Sequence, residues 1–200
     1  MSRPLKEDLP AAATGRKGRT RAQMAAKLIA MHADGKVRAA IGRGSDFYGP
    51  GVIESAVGER VFGFALAGKA ASGLGNPDTQ HTYTFIDDFA KGLVTLAERD
   101  EALGQVWHIP SADTVTMREF VNMVFEEIGA QPKLQVAPRW LVSVLGILNP
   151  TMRELKEVLY IVEEPFVVDH SKYEQAFGAD TTPHRRAIRE TLDWYRQIAG

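Results

Sequence analysis

Along the chain, short apolar runs alternate with glycine- and proline-containing breaks. Ala22 to Met31 is rich in helix formers, and "ADGK" after it supplies a stop at Gly35. Val37, Ala39 and Ile41 alternate along a predicted strand, which "YGPG" at 48–51 closes with a proline–glycine turn. A helix is expected near 52–68, and "GNPD" at 75–78 turns the chain into a strand "HTYTFI". Asp87 or Asp88 then stands where it can cap the amphipathic helix "DFAKGLVTLAER". A strand "QVWHIP", a short strand "EPFVVD" and a closing helix "AIRETLDWYRQ" complete the pattern. Three hydroxyls are followed three residues later by Glu: Thr116 with Glu119, Thr151 with Glu154 and Ser171 with Glu174. Each is a capping-box pattern that marks a helix start. Strands alternating with helices, with no internal repeat or low-complexity linker, predict an α/β protein.

Composition narrows the function classes. The 200 residues carry 24 basic and 25 acidic side chains, a formal net charge of −1, which argues against a bulk polyanion binder. The basic stretch "TGRKGRTRAQMAAK" therefore loses its reading as a nucleic-acid arm. With no cysteine, disulfides and thiolate metal sites are excluded. No apolar run reaches the roughly 20 residues of a membrane span; the longest, "WLVSVLGIL" at 140–148, is too short. "MSRPLKEDLP" lacks the apolar segment of a secretory signal, so a cytoplasmic protein without membrane or nucleic-acid partners is expected. His32, His108, His170 and His184 are scattered without metal-ligand spacing, and no serine sits in a nucleophile elbow. Tyr48, Phe62, Phe64, Phe120 and Trp140 are assigned to the core in preference to a stacking platform.

The first helix holds the main ambiguity. Lys17, Arg21, Met24, Leu28 and Met31 follow one another at spacings of 4, 3, 4 and 3, so they share a stripe whose apolar half is expected to pack on a sheet. Lys17 and Arg21 would then continue a buried face, either snorkelling to the core edge or entering a ligand site. Periodicity favours the first without deciding.

At this point the chain resembles a known family. "PLKEDLPAAATGRKGRTRAQMAAK" is similar to the segment of extended short-chain dehydrogenases/reductases, the NAD-dependent epimerase/dehydratase family, in which a loop "P-x-x-E-D-x-P" leads to a catalytic "Y-G-x-x-K" helix. Lys17-Gly18-Arg19-Thr20-Arg21 occupies that slot. Further on, Arg43-Gly44-Ser45-Asp46-Phe47-Tyr48-Gly49-Pro50-Gly51 resembles the family's "R-x-x-N-x-Y-G-P-G". "HTYTFIDDFA" at 81–90 echoes "R-D-F-I-Y-V-D-D-V-A", "GQVWHIP" echoes a family strand, and Asp169, Ser171, Lys172 and Trp194 echo its closing "D-x-S-K … W". The motifs run in family order over nearly the whole chain.

The resemblance implies hydride transfer with NAD or NADP on a small hydroxy/keto or sugar-like substrate. In the family a tyrosinate exchanges the proton and a lysine holds the cofactor ribose. Here Lys17 replaces the tyrosine and Arg21 the lysine, which makes them the candidate catalytic pair, with Arg21 also a cofactor contact although its planar fork is not equivalent to an ammonium. Arg43, Gly44 and Ser45 are placed by resemblance beside the nicotinamide, and Asp46 at a substrate-binding position. Ser45 and Asp46 read equally well as turn chemistry ahead of "YGPG". His81 stands where sugar-nucleotide enzymes often place an arginine on the diphosphate, yet a surface strand histidine is the readier reading. Asp87 and Asp88 are read as helix-capping carboxylates in preference to a catalytic pair.

One family feature has no counterpart. The glycines of "IGRGSDFYGPG" neither open a helix directly nor precede an acidic strand residue about 20 positions later, as a dinucleotide fingerprint requires. The resemblance therefore implies residues 1–51 as a residual Rossmann segment and 52–200 as a substrate-binding region partly returning to the sheet. The expectation is a truncated protein, not competent alone. The alternatives are a non-catalytic small-ligand-binding module and an interaction protein completed by a partner or by self-association.

Overall fold

The structure is a computed structural model, and it describes residues 4–13, 15–137 and 163–199. Helix α1 spans Arg16–Ala33, ends at Asp34, and is followed by Gly35 at φ 71°, the left-handed stop expected there. It begins six residues before the predicted Ala22 start, because the basic stretch joins the helix behind Gly15. Residues 37–40 are not the predicted strand. Strand β1 is Ile41–Arg43, where a ladder partner first becomes available: it runs parallel to β6, Val106–His108, in the register Ile41↔Val106 to Arg43↔His108.

Asp46–Tyr48, ahead of the predicted turn at 48–51, is strand β2, parallel to β5 at Tyr83–Phe85. The "YGPG" turn follows one strand later than predicted. Gly49, at φ 131°, is required there: a Cβ would lie 2.5 Å from Ile86 Cγ2. Of the helix expected near 52–68, only α2 at Phe62–Leu66 forms. Gly58 crosses Ile53 O so closely that a Cβ would clash, which suits a folded-back turn better than a helix.

Strand β3, Ala71–Leu74, runs parallel to β8, Leu134–Ala137, while β4, Gln80–His81, is antiparallel to β7, Val115–Thr116. Helix α3 is Ile86–Glu98 and α4 is Met117–Glu127. Helices α5, Ser171–Phe177, and α6, His184–Ala199, follow. "EPFVVD" contributes single bridges, Phe166 to His81 and Val168 to Leu5, instead of a strand.

The capping predictions divide three ways. At α4, Glu119 N–H donates to Thr116 Oγ1 at 3.1 Å and Thr116 N–H to Glu119 Oε2 at 2.7 Å, a complete capping box. Ser171 is already inside α5, and its N–H donates to Asp169 Oδ1 at 2.9 Å, so Asp169 takes the role expected of Ser171. Those bonds from Ser171, helped by Lys6, hold the Asp169 carboxyl below its usual range. Thr151 with Glu154, like Trp140 and "WLVSVLGIL", lies outside the described residues.

At α3 neither Asp87 nor Asp88 caps, since Phe85 is the N-cap and no side chain bonds the first turn. Asp88 is buried and accepts from Thr182 N–H at 2.7 Å and Thr182 Oγ1 at 2.8 Å, while Lys91 bonds it at 3.2 Å. A distant loop competes for its oxygens and wins, because that loop's buried amide has to be satisfied.

Two apolar clusters hold these elements. The larger joins Tyr48, Phe62, Phe85 and the inner face of α4 to Ile188, Leu192 and Tyr195 of α6. The smaller gathers Leu96, Trp107, Ile109 and Tyr173 around the β1–β6 pair. Tyr48, with no exposed surface, donates its hydroxyl to His184 Nδ1 at 2.8 Å, and His184 Nε2–H donates to Asp113 O at 2.8 Å. That relay pins the start of α6 to the core. Burial, then the charges of Asp88 and Glu190, push the Tyr48 hydroxyl far up from its ordinary value. No helix among the described residues is long and apolar enough to cross a membrane.

Candidate functional site

The stripe on α1 is not buried. None of the helix's residues is buried, Lys17 and Arg21 are exposed on its first two turns, and Met24 is 65% exposed. The partly covered positions are Gly18, Ala22, Ala25, Leu28, Ile29, Met31 and His32, small residues in the first half of the helix and larger ones in the second. The predicted stripe is thus split: Lys17, Arg21 and Met24 are exposed, while Leu28 and Met31 at its C-terminal end are partly covered. Lys17 also lacks the desolvated pocket that activates a lysine as a base.

The positions after β1 have clearer surroundings. Arg43 ends β1 opposite His108, and Gly44 is exposed, with Phe47 so close that a Cβ at Gly44 would lie 2.8 Å from its ring. Ser45 is buried: its N–H donates to Thr84 Oγ1 at 2.9 Å and its hydroxyl donates to Thr82 O. Thr84 Oγ1 in turn meets Ser111 Oγ at 2.9 Å. This hydroxyl network fastens the β1–β2 bend to β5.

Asp46 and His81 come together. His81 Nε2, at the end of β4, lies 3.0 Å from Asp46 Oδ2, at the start of β2. His81 is not a surface strand histidine, for it is 5% exposed and its ring lies between those of Tyr83, at 4.7 Å, and Phe166, at 5.2 Å. The Asp46 oxygen is near but off the line of a hydrogen bond, so Nε2 has no hydrogen-bond partner.

Both side chains face a cavity of about 920 Å³. Its volume falls near the upper end of small-molecule pockets. Strand β3 and Met117 of α4 form one wall, and the turn at 53–60 with Phe64 forms another. Gly73 permits this shape, since a Cβ there would strike Met117 Sδ at 2.5 Å. Ile53, Val57, Phe64, Leu74 and Met117 make much of the surface apolar, while Glu54, Glu59, Arg60 and Asp46 bring charge. Tyr83 lines it too, and burial, reinforced by the Asp46 carboxylate, raises its hydroxyl well above the ordinary tyrosine value. The phenol stays neutral near pH 7 and acts as a hydrogen-bonding group, not a base.

Of the candidate positions read from the sequence, Asp46 and His81 line this cavity, and Glu54, Glu59, Arg60, Tyr83 and Met117, which the sequence does not single out as site residues, line it with them. They sit in no shared local pattern, and only chain crossings assemble them. No group of three His, Asp or Glu side chains able to hold a metal occurs among the described residues. Lys17, Arg21, Arg43, Gly44 and Ser45 do not line this cavity.

The overall fold is shared with solved structures. The dTDP-glucose 4,6-dehydratase of Bacillus anthracis, solved in complex with NAD, superposes with a TM-score of 0.76 at 16% identity over 98% of this chain and 57% of its own. The UDP-glucuronic acid 4-epimerase of Bacillus cereus, in complex with UDP-glucuronic acid and NAD, gives 0.78 at 18% identity, covering 99% and 58%. An epimerase of Methanothermobacter thermautotrophicus gives 0.78 at 15%, covering 98% and 55%. The fold is that of NAD-dependent epimerases and dehydratases. The chain spans little more than half the length of these structures. No family model and no curated protein matches the sequence.

The described residues do not fit a complete dinucleotide. Glycines in the left-handed region follow helices, as Gly35, Gly68, Gly129 and Gly178 do, or lie in turns, and none opens a helix toward a pyrophosphate.

Proposed function

We propose that the chain forms the substrate-side portion of an NAD(P)-dependent enzyme of the epimerase/dehydratase type, working in the cytoplasm on a small hydroxy/keto or sugar-like molecule. The observation that carries this reading is the cavity at Asp46 and His81, a mostly apolar space of about 920 Å³ with Asp46, Glu54, Glu59 and Arg60 on its wall. Residues 1–51 would supply the cofactor-facing edge, with Arg21, Arg43, Gly44 and Ser45 toward the nicotinamide, and 52–200 the substrate side. Lys17 in the family tyrosine's place makes the chain incompetent for hydride transfer by the tyrosinate route. What the chain itself does is bind and orient a small ligand.

A second reading has its own observation. Met24, 65% exposed on a helix with nothing buried, suits a surface covered by a partner or a second copy.

Titration calorimetry on the folded chain with NAD⁺ and NADPH tests the first reading, expecting no micromolar binding. Micromolar binding of either nucleotide overturns the conclusion that no cradle is present. Sedimentation tests the second, and a monodisperse monomer at high concentration counts against it.

A further inference from the structure

We infer that the open edge of β1 pairs with the same edge of a second copy of this chain, antiparallel about a two-fold axis at Gly42, joining two β1–β6 pairs into one continuous sheet. The inference is independent of the cavity, and it places self-association on a surface other than the Met24 face of α1.

The two edges of the β1–β6 pair are treated differently. Ile41 N–H donates to Gln105 O and Ile109 N–H to Arg43 O, both at 2.9 Å, so Ile41 and Arg43 bond toward β6 and the alternate residues of each strand turn their backbone groups outward. On the outer side of β6, side chains of opposite charge take those groups. Lys172 Nζ donates to Val106 O at 2.8 Å, and His108 N–H donates to Glu7 Oε1 at 2.9 Å. Charged side chains set on an edge in this way block strand addition. On the outer side of β1, Gly42 has no ladder partner among the described residues. It is partly exposed, and in a glycine that surface is all backbone.

The shape and charge of this edge fit its own copy. Ala40, Gly42 and Gly44 are the outward-bonding residues, and none carries a side chain larger than a methyl. In the two-fold pairing Gly42 opposes itself, Ala40 opposes Gly44 and Ile41 opposes Arg43, so no like charges stand face to face. Leu93 of α3 lies over the same edge, since a Cβ at Gly42 would come 2.6 Å from Leu93 Cδ2. Leu93 is 42% exposed and Val94 beside it 56%. The axis at Gly42 brings the Leu93 side chains of the two copies together above the paired strands and removes this apolar surface from water. A net charge of −1 per copy opposes the approach only weakly.

Sedimentation equilibrium of the whole chain, with hydrogen exchange of the Gly42 amide over the same concentrations, tests this. The expected result is a reversible dimer in the micromolar range, with Gly42 exchange slowing as the dimer fills. Leu93→Lys, and Val94→Lys at the more exposed position, should each weaken the dimer about tenfold by placing a charge in an apolar seam, whereas Met24→Lys leaves it unchanged. A monomer at high concentration overturns the inference and leaves the edge to a strand of another polypeptide. A dimer that Met24→Lys dissociates, or that neither α3 variant weakens, overturns it in favour of another surface. Gly42 exchange that does not change with concentration in a dimer also overturns it.

Discussion

Helices α4 and α1 show opposite outcomes of the same kind of pattern. In α4, Met117, Phe120, Val121, Val124 and Phe125 recur on one face, and all five are buried against α2, α6 and the strands. In α1, 18 residues long, a stripe of equal regularity runs from Lys17 to Met31 and buries no member fully, with Leu28 and Met31 only partly covered. The difference lies in what stands opposite. Aromatic and branched side chains of α4 meet Ile188 and Leu192 of α6, whereas α1 belongs to neither apolar cluster, half-covers Leu28, Ile29 and Met31, and leaves Met24 outward. Periodicity identifies a face, but only another element can bury it.

The largest way to break this contrast is Phe120→Ala. Phe120 is wholly buried, with ring centroids of Tyr48 and Tyr83 at 4.9 Å, so the loss should be about 3–5 kcal/mol in denaturant unfolding. A loss below about 1 kcal/mol means that the large cluster is not the stabilising core.

Tyr48→Phe comes next. It leaves His184 Nδ1 buried without its donor and should cost about 1–3 kcal/mol. The same relay has a pH signature. Burial lowers the His184 pKa from its ordinary 6.5, so the unfolded chain binds the proton more readily than the folded one. This contribution is therefore complete above 6.5 and shrinks as pH falls below 6.5 toward the lowered folded value. A His184→Gln variant should show a flatter fall over that interval in chemical unfolding curves; an unchanged slope removes His184 from the explanation.

Thr116→Ala breaks the capping box of α4 and should cost about 1 kcal/mol. Smallest is Met24→Lys on α1, where the exposed position predicts a change within about 0.5 kcal/mol. Hydrogen exchange should separate the two helices directly, with α1 amides exchanging by low-energy local opening and α4 amides only near global unfolding. Equal protection would show that α1 is held by contacts not evident in its burial.

Local chemistry made much of the framework legible. The α3, α4 and α6 regions follow from amphipathic spacing, the α4 start from Thr116 and Glu119, and the end of α1 from Gly35, because each signal lies within a few residues of the structure it specifies. The β6 strand was likewise visible in "QVWHIP". Tertiary structure alone decided that Asp46–Tyr48 is a strand, that Asp88 bonds Thr182 in place of a helix end, and that Lys17, Arg21 and Met24 of the α1 stripe lie exposed. It also decided the cavity, where Asp46 and His81 meet Glu54, Glu59 and Met117. Hydrogen-bond partners and pocket walls come from segments distant in sequence, and the free energy that selects among local options appears only when those segments pack together.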